Sequence, residues 1–255
     1  MTFLKSLFLV SVLFVSAIVN GQSMNKRHHR PLVEVERWKP NGWHFAPGLT
    51  YMWPNKIKFL GGQEDPEITP RGRLAVYLEA GRYRFFPGGG NVFNYLDYSV
   101  AYKRLSGSEE INDNKSVFKQ NYLLGNFNIN NIIQLSDKTF IQNSLGINGD
   151  FKFGETAPAY GANTQRLLFS LHYKFGFGFK VSERMFVIPA IETPILNAKQ
   201  WEKGKSTYGL FTSRYRPLIA SVRFTWLRPL GKGACPPVFT NPGDRNKQDQ
   251  FQMGQ

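Results

Sequence analysis

From about residue 43 onward, apolar and polar side chains alternate with a period of two, the mark of strands that offer one apolar face. In 167–179, Leu167, Phe169, Leu171, Tyr173, Phe175, Phe177 and Phe179 share a face, and Leu168, Ser170, His172, Lys174, Gly176 and Gly178 share the other. In 218–228, Leu218, Ala220, Val222, Phe224 and Trp226 oppose Ser221, Arg223 and Thr225. In 43–53, Trp43, Phe45, Leu49, Tyr51 and Trp53 oppose His44, Ala46, Gly48 and Thr50. The same rule predicts eight strands near 43–53, 73–85, 92–104, 117–135, 139–153, 166–179, 185–196 and 217–228. Pro189 and Pro194 make the extent of 185–196 the least defined, because proline removes a ladder hydrogen bond. Ser136-Asp137-Lys138 is a short hairpin turn, and other short turns fall near 86–91 and 180–184. Long polar links are expected at 54–72, 105–116, 154–165 and 197–216. Short turns alternating with long links describe an antiparallel up-and-down meander with both termini on the short-turn side.

What the two faces are made of decides what surrounds such a sheet. The apolar faces carry large aromatics near strand ends: Trp43 and Phe45 at one end, Tyr51 and Trp53 at the other, with Phe177, Phe179 and Trp226 on later strands. That is the placement of interfacial aromatic girdles. The opposite faces carry Gly, Ser, Ala and Thr with isolated charges and histidines: Glu79, Asp97, Lys174, Arg223, His44 and His172. Small residues with charges of both signs fit a narrow interior in which ions pair. Turning 217–228 over would put Arg223 into hydrocarbon at a cost of roughly 2–4 kcal/mol, and turning 166–179 over would do the same for Lys174. Open sheet edges are not tolerated in lipid. The expected fold is therefore all-β, an eight-stranded antiparallel transmembrane β-barrel. A secreted soluble barrel of the lipocalin type, with its apolar face inward, is the alternative.

Composition adds the compartment. Residues 1–21, with Lys5 before an apolar run from Leu7 to Val19, read as a signal peptide. Residues 22–41 form a basic arm, 42–229 the barrel and 230–255 a tail rich in Pro, Gly and Gln. The 255-residue chain has one Cys and four His, so neither a disulfide framework nor a cysteine-based zinc site is expected, and no metal or other cofactor is assigned. GxSxG, HExxH and phosphate-loop motifs are absent. Ser170 and His172 share a face and are the one weak nucleophile–base candidate for a lipid-modifying enzyme. The formal net charge of +14 is unevenly spread. Lys199, Lys203, Lys205, Arg214 and Arg216 crowd one long link and are candidates for contact with lipopolysaccharide phosphates. In the tail, Cys235, Pro236, Pro237, Val238 and Phe239 are the only apolar spot and a candidate docking motif for a protein partner. Export makes nucleic acid an improbable partner.

A signal peptide, eight alternating strands and a last strand bearing Phe224 and Trp226 resemble the small outer-membrane β-barrel proteins of double-membraned bacteria, the OmpA/OmpX-like group. The resemblance covers about residues 42–229 and rests on pattern. It implies insertion by the outer-membrane assembly machinery through the last strand, periplasmic termini and a plugged interior, and it implies no activity. The chain departs from that group by continuing for a tail of 230–255 past the aromatics of its last strand, a stretch with no sign of the peptidoglycan-binding domain that often follows. The expected role is a non-catalytic structural or interaction protein, possible as an accessory subunit of an outer-membrane assembly or secretion complex. A lipid A-modifying enzyme and a narrow pore are the competing roles.

Overall fold

The computed structural model describes residues 38–54, 69–86, 92–111, 114–156, 164–199, 201 and 215–230. The proposed signal peptide, nearly all of the basic arm, and the tail with Cys235 to Phe239 lie outside the described residues, as do Lys203, Lys205 and Arg214.

Eight strands form, in chain order β1 (Asn41–Pro54), β2 (Thr69–Phe85), β3 (Tyr95–Ile111), β4 (Asn114–Gln134), β5 (Thr139–Thr156), β6 (Leu167–Ser182), β7 (Met185–Lys199) and β8 (Tyr215–Trp226). Each pairs antiparallel with the next, and β8 pairs back onto β1, so the sheet is a closed barrel. The described residues contain no helix. Closure runs through Trp43 opposite Trp226, Phe45 opposite Phe224 and Tyr51 opposite Leu218. Gly48 lies opposite Ser221, where an added Cβ would sit 2.5 Å from the Ala220 carbonyl oxygen. Past the last strand, Trp38 bridges Pro229 and the Lys39 N–H donates to the Arg228 carbonyl (2.8 Å), so the two ends of the described chain meet at the tight-turn end.

The alternation expected from sequence is the alternation of exposure. On β1, Trp43, Phe45, Leu49 and Trp53 are exposed, while His44, Ala46, Thr50 and Met52 are buried. The outward face of the whole barrel is a band of large apolar residues, including Leu74, Val76, Val100, Ile147, Phe153, Val181 and Ile191. A water-soluble monomer rarely exposes so continuous an apolar surface. Trp43 and Trp53 are ten residues apart on one strand, about 33 Å along it. At the usual strand tilt this is roughly 25 Å across a bilayer, the height of the apolar band of outer-membrane barrels.

Two expectations about connections are corrected. The link expected at 105–116 is mostly strand: β3 continues to Ile111, β4 begins at Asn114, and Glu110 pairs with Lys115. Its Ser, Gly and Glu residues hide the signal because a hairpin projecting beyond the hydrocarbon has no need of an apolar face. β7, the strand whose extent proline left least defined, runs from Met185 to Lys199, three residues beyond the expected end. Its pairing with β6 shifts register between Leu171 and His172, opposite Leu196 and Pro194, and this irregularity accommodates Pro194. The turn at Ser136 forms as expected: Ser136 Oγ accepts the N–H groups of Lys138 (3.2 Å) and Thr139 (3.1 Å).

Candidate functional site: a layered, ion-paired interior

An eight-stranded barrel has an interior just wide enough for side chains to fill. Here they fill it in layers. At the tight-turn end, Tyr83, Tyr95, Phe140, Phe186, Ile188 and Leu227 form an aromatic plug, with Phe140 and Phe186 edge to face at 5.6 Å. Tyr83 OH donates to the Trp226 carbonyl (2.7 Å), which ties the plug to the closing seam. At the loop end, Met52, Leu105, Phe118, Tyr122, Leu168, Trp201 and Tyr215 form a second apolar layer. Its indole and phenol are satisfied by one amide, since Trp201 Nε1 (2.7 Å) and Tyr122 OH (2.8 Å) both donate to Gln120 Oε1.

Between these layers lies a charged one. Arg223 on β8 donates from one terminal nitrogen to Asp97 Oδ2 (2.8 Å) on β3 and from the other to Glu79 Oε1 (2.9 Å) on β2. Lys174 on β6 sits 2.9 Å from Glu192 Oε2 on β7 and 3.5 Å from Glu79 Oε2. Ser99 Oγ (3.0 Å) and Tyr77 OH (2.7 Å) also donate to Glu79. On β4, Asn128 (2.7 Å) and Asn130 (2.8 Å) donate to the two oxygens of Asp97. His44 Nε2 lies 3.1 Å from Glu79 Oε1, and His172 Nε2 lies 2.6 Å from Asn128 Oδ1. Nearer the loop end, Lys103 pairs with Asp150. Glu79, Asp97, Glu192, Lys174 and Arg223, the five ion-pairing residues of this layer, are each no more than 2 % exposed. Burying so many charges is tolerable only because nearly every one meets an opposite charge or a hydrogen-bond donor.

All six residues singled out from the sequence as polar interior candidates therefore converge on one layer. Sequence reading missed several of their partners. Glu192 was obscured by the flanking Pro189 and Pro194. Asn126, Asn128 and Asn130 alternate in the segment NFNIN of β4, a period-two polar signal that points to the interior. Tyr77, Lys103 and Asp150 lie on inward positions of strands but carry no local mark of a partner.

The chemistry this layer can perform is limited by how its groups are engaged, although His44 Nδ1, His172 Nδ1 and Asp150 Oδ1 are buried without a hydrogen-bond partner among the described residues. Ser170 Oγ is bonded to Asn148 Oδ1, while His172 faces Asn128 and Glu192, so the serine and the histidine form no nucleophile–base pair. His44, Glu79 and Asp97 place three ligand atoms within 4.8 Å of one another, the spacing of a metal site. Both carboxylates there are already bridged by the Arg223 guanidinium, a cation in the place a metal would take. The void between the charged layer and the loop-end cap, lined by Lys103, Asp150, Ser170, Glu192 and Trp201 among others, is about 40 Å³, and the void in the plug is about 30 Å³. Spaces of that size hold a few waters at most.

Of the girdle candidates, Trp43, Phe45, Trp53, Phe179 and Trp226 are exposed, and Tyr51 and Phe177 are half-buried. Phe177 and Phe179 contact each other at 4.9 Å, and Tyr51 and Trp53 at 6.3 Å. Of the basic candidates at the loop end, Lys199 is the last residue of β7. Arg216 is turned onto β7, donating to Thr193 Oγ1 (2.7 Å) and to the Pro194 carbonyl (3.2 Å).

No protein-family model matches the chain, and no curated protein matches it. Among solved structures, it is similar to the outer membrane protein OprG of Pseudomonas aeruginosa, with 10% identity, 76% of this chain and 97% of that chain covered, and a TM-score of 0.44. It is also similar to Ail, the attachment invasion locus protein of Yersinia pestis, in complex with the heparin analogue sucrose octasulfate, with 7% identity, coverage of 73% and 97%, and a TM-score of 0.39. The translocator domain of the autotransporter NalP from Neisseria meningitidis follows, with 9% identity, coverage of 87% and 97%, and a TM-score of 0.33. The assignment to the eight-stranded barrel class stands on this chain's own topology, closure and faces.

Proposed function

We propose that this protein is a non-catalytic barrel of the bacterial outer membrane that serves as a membrane-anchored structural or interaction module, with the tight-turn end and both termini in the periplasm. The observation that carries the reading is the interior: among the described residues an aromatic plug, an ion-paired layer and an aromatic cap follow one another along the axis, with voids of about 30 and 40 Å³ in the plug and beneath the cap. A transport path needs continuous water-filled space, and an acyl enzyme needs a nucleophile beside a base. Neither is supported by this packing. What remains available for function is the rim at each end and the segments beyond it.

The role as an accessory subunit of an assembly or secretion complex rests on the terminal segments, where Cys235 to Phe239 supply the apolar docking motif and the basic arm supplies charge. Lys199, with Lys203, Lys205 and Arg214, supplies positive charge at the loop end for lipopolysaccharide phosphates. Arg216 is a weaker contributor to that contact, because its guanidinium is engaged by β7. The test is affinity isolation of the tagged full chain from detergent-solubilised outer membranes, compared with a chain ending at Leu230. A stoichiometric partner that is lost on truncation supports the reading. A lone barrel in both samples, with termini open to protease in intact periplasmic preparations, refutes the subunit role.

A further inference from the structure

On the strand walls of the tight-turn end the exposed arginines lie in one sector, while Lys138 and Arg184 are exposed in the β4–β5 and β6–β7 turns beside Asp137 and Glu183. On β2, Arg82 and Arg84 occupy consecutive outward positions, and both are exposed. Arg82 lies opposite Trp43 and Arg84 opposite Asn41 on β1. On the other side of β1, Trp226 lies opposite Trp43, and Arg228 follows two residues later, also exposed. On the outward face of these three adjacent strands, Arg82, Trp43 and Trp226 form one row; at the rim beyond it Arg84 lies opposite Asn41 on β1, while Arg228 lies beside Lys39, whose N–H its carbonyl accepts (2.8 Å). Adjacent strands are about 4.8 Å apart, so Arg84 and Arg228, on either side of β1, stand about 10 Å or more apart, within convergence range of two long guanidinium side chains. None of the three arginines has a carboxylate partner among the described residues. Arg82 is stacked over the Trp43 ring, 4.0 Å from its centroid.

Elsewhere around the same end the outward positions are apolar: Leu96 on β3, Ile133 on β4, Ile141 on β5, Phe179 and Val181 on β6, Val187 on β7. Two arginines on either side of β1 at headgroup level, with no carboxylate partner among the described residues and above two exposed tryptophans, match the shape of one amphiphile. The guanidinium groups and the Asn41 amide supply donors for phosphate oxygens. The indoles of Trp43 and Trp226, with Phe45 and Phe224 beneath them, form an apolar track on which acyl chains lie.

We propose that the outward face of β8–β1–β2 at the tight-turn end is a binding site for an anionic phospholipid of the inner leaflet, of the phosphatidylglycerol class, with the phosphate held by Arg84, Asn41 and Arg228. The proposal rests on the periplasmic placement of the tight-turn end. With lipopolysaccharide confined to the outer leaflet, phosphatidylglycerol-type lipids are the anionic amphiphiles available at this level. A juxtamembrane arginine contributes a factor of roughly five to the affinity for an anionic surface lipid.

The test uses the full mature chain in nanodiscs of phosphatidylethanolamine with a one-quarter share of phosphatidylglycerol. Lipids retained on the protein are counted by native mass spectrometry. The expected result is enrichment of phosphatidylglycerol over its bulk share, falling back to the bulk share in Arg84→Gln/Arg228→Gln and staying unchanged in Arg166→Gln at the opposite rim. Retention in the bulk ratio, or an unaltered ratio in the double variant, overturns the proposal. So does a second arm in which lipid A displaces the retained lipid with the same dependence on Arg84 and Arg228, since that would make the site an outer-leaflet one. The heat-modifiable shift of the folded barrel on gels is read in parallel. Its absence in the wild type would refute the membrane-barrel reading itself, whereas its presence without lipid selection refutes only this site.

Discussion

Replacing Arg223 by Met removes one cation from a layer in which the carboxylates of Glu79, Asp97 and Glu192 are balanced chiefly by Arg223 and Lys174. Methionine keeps most of the length and apolar volume of the side chain, so the perturbation is of charge more than of packing. Glu79 retains Lys174, Ser99, Tyr77 and His44, but Asp97 is left with two asparagine amides and no cation. Both carboxylates are fully buried. Removing one partner of a buried pair costs about 3–5 kcal/mol, most of it the uncompensated charge left behind. That origin gives a specific expectation for the double change. Asp97→Asn in the Arg223→Met background removes the stranded charge while keeping an oxygen that accepts from Asn128 or Asn130. The double variant is therefore expected to be more stable than Arg223→Met alone, with a coupling energy of about 1–3 kcal/mol. The assay is urea unfolding of the barrel in lipid vesicles, followed by tryptophan fluorescence, with the heat-modifiable gel shift as an independent measure of the folded fraction. Equal slopes against denaturant would make the midpoints comparable. A loss below about 1 kcal/mol for Arg223→Met, or strictly additive effects in the double variant, would show that the layer is hydrated or that its charges act independently, and the account of the interior given above would fall.

Two further outcomes follow from the wall of the barrel. Ile147 faces outward near the middle of β5 and is 59% exposed, so Ile147→Arg is expected to destabilise the inserted protein by roughly 2–4 kcal/mol in vesicle unfolding; a neutral result would mean that this face meets water. At the closing seam, any side chain at Gly48 meets the Ala220 carbonyl and the Ser221 backbone within 3 Å, so Gly48→Val is expected to cost more than the 1–3 kcal/mol usual for overpacking and to abolish the compact gel species, and a wild-type shift would contradict the β1–β8 register.

Alternation in sequence determined the strand count, the order and the inward and outward faces; the lengths of the links were less legible, since 105–116 is mostly strand. The physical reason is that a strand's side-chain period is fixed at two by the backbone, and hydrocarbon penalises any register that puts Arg223 or Lys174 outside. Six polar residues were assigned to the interior on that ground alone. Which of them touch was decided only by closure. Glu79, Asp97, Lys174 and Arg223 lie on four different strands, and their separations depend on shear, tilt and register shifts such as the one beside Pro194, none of which leaves a local trace in sequence. The same holds for Glu192 and for the aromatic layers. A tyrosine at an inward position reads the same whether it lines a channel or, like Tyr83 and Tyr215, seals one. Arg84 and Arg228 stand on either side of β1 only because β8 returns to it, closing a seam between residues far apart in the chain.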